Sequence, residues 1–337
     1  MQTITSLAKQ MHAQRPLPRN DIGMRLRGMG SFHVGGYRHS ITHGEPRMVQ
    51  LTQTGHPALF DPNGTYMIGQ MYVQYFLPDP HQHNLPLLMW HGGGLTGACW
   101  ETTPDGRPGF RDIFLAGGWD VFVSDAVERG RSGFAPVPDV WGPPISQTIE
   151  TVFERFRIGA YLPKGELARA SQHVYPGTAF PVEALDRFAA QMVPRWTNTN
   201  GYILDAYLEE LEATGPAVIL AHSQGCVFAL EAAARRPDLV AALVLLEPAA
   251  IPELPASFIA ADLPMLVMLG DFIERSKRWM KMQRDITRFV SCNDHAELLQ
   301  LPEHGLEGNS HMLMMDRTSD KVAELIMNWL AKQELSV

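Results

Sequence analysis

One serine stands where a serine can be made reactive. Ala221-His222-Ser223-Gln224-Gly225 follows the apolar run Ala217 to Ala221 and precedes Cys226 to Ala234, a stretch with helical spacing. A strand that turns abruptly into a helix holds the intervening side chain in the open, and it needs small neighbours because Cβ atoms there would strike adjacent backbone. Alanine replaces the first glycine usual in such a turn and meets the same steric demand. Backbone N–H groups and the positive end of the helix dipole then lie beside Ser223, where negative charge would develop on a carbonyl oxygen under attack. The N–H of Gln224 is the expected donor.

A second donor is expected from His91-Gly92-Gly93-Gly94, which follows the apolar run Leu85 to Trp90. Glycines let backbone approach a substrate closely and leave N–H groups free, and Gly93 is the chosen donor. A phosphate-binding loop would need a following Gly-Lys-Ser/Thr, which is absent. Of thirteen histidines, His311 in Gly308-Asn309-Ser310-His311 lies in a loop ahead of a final helix from Lys321 to Leu330, where a general base for Ser223 belongs. His295 falls in a stretch of helical character, and His304 precedes the glycine that leads into the loop. Two carboxylates can complete a triad. Glu247 follows the run Ala241 to Leu246 and is turned out of the strand by Pro248, whereas Asp271 follows Met265 to Leu269 and opens a polar segment that it could cap.

The glycine turn, Ser223, Glu247 and Asp271 each follow a short apolar run, and a fifth run, Val121 to Ser124, ends before Asp125. That is the arrangement of an open, mostly parallel sheet covered by helices, with its reactive groups beyond the carboxyl ends of the strands. Two antiparallel strands, around Ser31 to Arg38 and Tyr66 to Leu77, are expected at its leading edge. The segment Asp125 to Gly133 reads as a tight loop pinned by its charges. About 90 residues lie between the Asp125 strand and the Ser223 strand, far more than a crossover helix needs, so residues 134–200 read as an inserted helical cap on a core formed by 1–133 and 201–337. Tyr202 to Leu211 is the expected crossover helix. The cap is rich in proline and aromatics, and Trp141 and Trp196 are expected to contact substrate.

Hydrophobic residues make up 45% and charged residues 19% of the 337-residue chain, the composition of a packed globular protein. A net charge of −8 without a basic cluster in the sequence argues against nucleic acid as a partner and for an uncharged, fairly apolar small-molecule ester. Cys99, Cys226 and Cys292 are odd in number and far apart, so neither a disulfide framework nor a zinc cluster is expected. His81 and His83 lack further ligands, and no metal or organic cofactor is called for. Met1 to Asn20 lacks the unbroken apolar segment of a secretion signal, and no run is long enough to span a bilayer, so a cytoplasmic protein that does not associate with membranes is expected.

The sequence resembles bacterial α/β-hydrolase esterases whose triad runs Ser, Glu, His and which cleave esters or linear amides. The resemblance spans about Arg27 to Leu330. It rests on Gly28-Met29-Gly30-Ser31-Phe32-His33-Val34-Gly35-Gly36, on His91-Gly92 with Leu95-Thr96-Gly97, on Trp100-Glu101-Thr102-Thr103-Pro104-Asp105-Gly106-Arg107, and on Gly130-Arg131-Ser132. It continues through His222-Ser223-Gln224-Gly225, Glu247-Pro248 and Gly308-Asn309-Ser310-His311-Met312. Some relatives carry adjacent cysteines in place of Gly93 and Gly94. The resemblance implies an α/β-hydrolase fold, Ser223 as nucleophile, Glu247 as acid, His311 as base, Gly93 and Gln224 around the oxyanion, and a homodimer. A serine carboxylesterase is therefore expected. An amidase or acyltransferase with the same triad is the alternative, and a non-catalytic ligand-binding homologue would be expected to lack one of serine, base or acid.

Overall fold

The five apolar runs become neighbouring strands of one sheet. In the computed structural model, which describes residues 23–134, 138–333 and 335, they are β5 (Leu87–Trp90), β6 (Val121–Asp125), β7 (Ala217–His222), β8 (Val240–Leu246) and β9 (Met265–Leu269). The stretch Met1 to Asn20, read above for a secretion signal, lies outside the described residues. Eight strands pair in the order β1-β4-β6-β5-β7-β8-β9-β10, with β1 (Leu26–Ile41) and β4 (Gly64–Pro78) forming the long antiparallel edge. From β6 to β10 (Ala296–Gln300) all pairing is parallel. A short ribbon, β2 (Arg47–Val49) with β3 (Ala58–Phe60), stands apart from this sheet.

The central strands are apolar throughout because both of their faces are covered, and alternate residues point to opposite cores. Leu87, Met89, Val218, Leu220, Val244 and Leu246 face one core, closed by α1 (Phe110–Ala116) and α7 (Ser319–Leu330). Leu88, Trp90, Ile219, Ala221, Leu243 and Leu245 face the other, closed by α4 (Asn200–Thr214), α5 (Gln224–Arg235) and α6 (Lys277–Ser291). The expected crossover helix is α4, two to three residues longer at each end than its apolar spacing marks.

The insertion is only partly helical. Between residues 138 and 200 it holds a single turn at Pro138–Trp141, α2 (Ile149–Arg155), α3 (Leu185–Ala189) and two isolated 3-10 segments, and the rest is irregular; residues 135–137 lie outside the described chain. Val152, Phe153, Phe156, Ile158, Phe180 and Phe188 join the same apolar cluster as the sheet face beneath them. This part of the segment therefore shares the core of the body, and the four phenylalanines are spent on that packing.

β10 carries no continuous apolar run to announce it. Its residues are Ala-Glu-Leu-Leu-Gln and none is fully buried, as befits an edge strand with one neighbour. His295 lies in the turn that enters this strand and not in a helix, since α6 ends at Ser291.

Candidate active site

Ser223 occupies the turn between β7 and α5 at φ +54° and ψ −111°, a conformation that side-chain-bearing residues rarely adopt. The turn is held by the Ser223 N–H, which donates to Leu246 O at 2.9 Å, and by Ser223 O, which accepts from Ala249 N at 3.1 Å. Gly225 has no alternative: a Cβ there would lie 2.5 Å from Trp90 O and 2.8 Å from His91 O. The N–H of Gln224 opens α5, where it has no intrahelical acceptor.

The loop after β10 brings His311 to the serine. Ser223 Oγ lies 3.0 Å from His311 Nε2, and His311 Nδ1 lies 3.0 Å from Glu247 Oε2. With a carboxylate facing it, Nδ1 carries the proton and donates, which leaves Nε2 to accept from the serine hydroxyl. The ring is fully buried except toward the serine, with Phe156, His222 and Trp279 at centroid distances of 4.9, 4.7 and 4.6 Å. Burial lowers the His311 pKa from its ordinary value, against the opposing hydrogen bond and charge of Glu247, so the imidazole is held neutral with Nε2 free to accept a proton.

Glu247 ends β8 at φ +52° and is wholly buried. Its Oε1 accepts from Gly270 N at 2.5 Å and from Arg157 Nη2 at 2.5 Å. Burial alone would raise this carboxyl. The charge of Arg157, with the hydrogen bond and charge of His311, outweighs it and holds the pKa at about 2. Asp271, the rival by position, bonds elsewhere. Its Oδ2 accepts from Gly308 N at 2.8 Å and its Oδ1 from Phe272 N at 2.6 Å, so it ties the end of β9 to the histidine loop without touching the imidazole. Phe272 beside it is a third non-glycine residue at positive φ, +60°.

Arg157 was not foreseen from the sequence. It lies in the insertion at φ +58°, is 1% exposed, donates from Nε to Asp271 O at 2.7 Å, and stacks 4.6 Å from the Trp279 ring centroid. The one signal is an arginine between Phe156 and Ile158 in an apolar stretch, which says that the charge is buried but not with what.

The glycine turn after β5 presses against this assembly. A Cβ on Gly93 would lie 2.7 Å from Gln224 Oε1 and 2.6 Å from Arg195 Nη1. His91 anchors the turn: its Nε2 accepts from Ala126 N at 2.9 Å, so Nδ1 carries the proton and donates to Gly92 O at 2.8 Å. Burial lowers the His91 pKa to about 4, which keeps the ring neutral. The Asp125 loop is pinned as its charges suggest, with Asp125 accepting from Gly97 N at 2.7 Å and from Arg131 N and Nε at 2.8 and 2.9 Å.

The alpha/beta hydrolase fold family matches residues 86–278, more than half of the chain and most of the elements just described. The chain belongs to that family. Over 92% of its length it is also similar to a solved bacterial esterase, with 31% identity, 96% of that chain covered and a TM-score of 0.77. A curated relative, "Probable secreted lipase phiG" of Fungal sp. (strain ATCC 74256), is 26% identical over 336 aligned residues, which cover 82% of this chain and 90% of the relative. The protein is a hydrolase, and no helix among its described residues is long and apolar enough to cross a membrane.

In this hydrolase Ser223 and His311 open onto a cleft whose lining includes Gly93 and Gln224. A narrow recess with room for little more than a water molecule adjoins it behind the glycine turn, formed by residues that include Leu95, Ile145, Val152 and Met192. Two expectations need correction. Trp141 and Trp196 do not line the cleft: they are 4% and 6% exposed and form a separate cluster with Ile68, where Trp196 Nε1 donates to Gly142 O at 2.9 Å. Their aromatic area is used to seat the insertion on β4. The basic cluster that the sequence lacks is assembled by the fold, because Arg155, Arg195 and Arg278, far apart in the chain, all line the cleft.

Proposed function

We propose that the protein is a serine carboxylesterase that works through an acyl-enzyme, with Ser223 as nucleophile, His311 as general base and acid, and Glu247 as the orienting carboxylate. The observation that carries this reading is the unbroken hydrogen-bond chain from Ser223 Oγ through His311 to Glu247 at the floor of an open cleft. His311 Nε2 takes the hydroxyl proton as Oγ attacks the ester carbonyl carbon. The carbonyl oxygen becomes an oxyanion, which the N–H groups of Gln224 and Gly93 are suited to receive. As the intermediate collapses, the imidazolium gives its proton to the leaving alkoxide and the C–O bond breaks. Water, deprotonated by the same imidazole, then releases the acid and restores Ser223.

The narrow recess behind the glycine turn, with Leu95, Ile145, Val152 and Met192 in its lining, supports an ester whose reacting end is small and hydrocarbon in character. The test is active-site labelling with a fluorophosphonate together with turnover of an ester, an amide and an alcohol acceptor. Wild type should be labelled and should favour the ester with water as acceptor, and Ser223→Ala should lose label and turnover while staying folded. A labelled Ser223→Ala protein would overturn the assignment of the nucleophile, and faster amide cleavage or transfer to alcohol would overturn the reaction class.

A further inference from the structure

Among the described residues, the cleft in front of Ser223 is lined by three cations and no anion. Arg155 closes α2, Arg195 lies on the strand-like segment whose N–H and C=O pair with Ile145, and Arg278 stands in the first turn of α6. They come from three separate segments and line one cleft, while no aspartate or glutamate among the described residues lines that space. Among the described residues none of the three makes an ion pair or donates a side-chain hydrogen bond, although most arginines of this acidic chain do one or the other. Arg278 has only a ring contact, 5.8 Å from the Trp279 centroid.

An arrangement of this kind opposes folding. Like charges repel, and Arg155 and Arg195 are half-buried, so water screens them incompletely. Burial, then the charges of Arg278 and Arg195, lowers the Arg155 pKa below its ordinary value. Burial and then Arg195 likewise hold Arg129, behind the glycine turn, at about 10. Arg278 adds its charge to the positive end of the α6 dipole, whose first turn contains no acidic residue to offset it. The guanidinium of Arg195 lies against Gly93, so the cationic wall begins beside the atoms that would hold the oxyanion. A fixed carboxylate is what the protein would supply if neutrality were the aim, and a carboxylate brought by the ligand is what the unused fork-shaped donors suit.

We propose that the natural ester carries a free carboxylate, on its acyl or its alcohol part, which is bound by Arg155, Arg195 and Arg278 in the cleft onto which Ser223 opens. The inference rests on the esterase reading above and replaces the uncharged substrate expected from the sequence.

Two pairs of esters matched in length test it by titration of released acid. Monomethyl adipate against methyl hexanoate places the charge on the acyl side, and 4-acetoxybutanoate against butyl acetate places it on the alcohol side. In one pair wild type should favour the anionic member by about tenfold or more in kcat/KM, chiefly through KM, and that pair identifies the side. Raising ionic strength should shrink the preference, because the cleft is open to solvent and the screening length falls to about 3 Å in 1 M salt. Arg195→Gln combined with Arg278→Gln should bring the ratio toward one, whatever the absolute rate, and the doubly lysine-substituted protein should recover much of it. A wild-type ratio near or below one in both pairs overturns the proposal, as does a ratio that the glutamine substitutions leave in place. Fluorophosphonate labelling of Ser223, run alongside, separates either outcome from a failure of the esterase reading itself.

Discussion

Arg157→Met removes one charge from a buried pair and keeps the side-chain volume. Both partners are sealed, at 1% and 0% exposure, so Glu247 would be left ionised in a low-dielectric site with only Gly270 N and His311 Nδ1 as donors. Losing one member of such a pair costs about 3–5 kcal/mol. For 337 residues the entropy of unfolding at the midpoint is about 0.7 kcal/mol/K, so Tm should fall by about 4–7 °C. The change should also reach catalysis. Burial is the largest influence on the Glu247 pKa and acts upward, and Arg157 is the largest influence holding it down, so its removal raises that pKa from about 2. A carboxyl that protonates more readily orients the imidazole less well, and kcat/KM should drop by about 10–100-fold at neutral pH, more steeply on the acid side. Arg157→Lys keeps the charge but loses the fork and should fall between the two. Differential scanning calorimetry with a pH–rate profile on a neutral ester checks both halves. A Tm within 1 °C of wild type, in the calorimetric experiment of about that precision, together with kcat/KM within about twofold, would refute the reasoning.

Glu247→Gln should lower kcat by about 10³–10⁴-fold with modest loss of stability, while Asp271→Asn should mainly lower Tm, because Asp271 binds Gly308 N and not the imidazole; steady-state kinetics beside thermal melts separate the two, and the reverse pattern would move the acid role to Asp271. The acid limb of kcat/KM should inflect below pH 6.5, since the lowered His311 pKa keeps the ring neutral as pH falls past that value, and Ser223-directed labelling followed against pH should show the same limb. Trp196→Ala should cost about 3–5 kcal/mol by opening a cavity at the Ile68 cluster, and it should leave the short-to-long ester ratio within about twofold.

Strands buried on both faces are legible because nothing but apolar residues will do there: Leu243 and Val244 point to opposite cores, so β8 reads as one unbroken run. Residues at the ends of such strands are legible for the same reason, since Ser223 and Glu247 interrupt the apolar pattern where the chain must turn. His311 could be picked from thirteen histidines by its place between the last strand and the last helix. Edge strand β10 was invisible because half-exposed positions tolerate Glu297 and Gln300. Arg157, and the meeting of Arg155, Arg195 and Arg278, depend on contacts across 40 to 120 residues of chain, and periodicity carries no record of such partners. Trp141 and Trp196 misled for a related reason: a tryptophan that packs the insertion and one that lines a cleft are the same letter.

Three successive strand ends, after β7, β8 and β9, carry Ser223, Glu247 and Phe272 at positive φ, where glycine would rest without strain. Each such residue disfavours the folded state by about 1–3 kcal/mol. The hydrolase is therefore held below the stability that its own backbone would allow, and part of the deficit sits at the nucleophile and at the carboxylate that faces its histidine. Ser223→Gly is the clearest case, since it relaxes the turn and removes only a hydroxymethyl group. A library of variants selected for heat resistance alone would drift toward glycine at that position and arrive at a sturdier, inert protein, so directed evolution of this scaffold has to screen for turnover in the same round as survival.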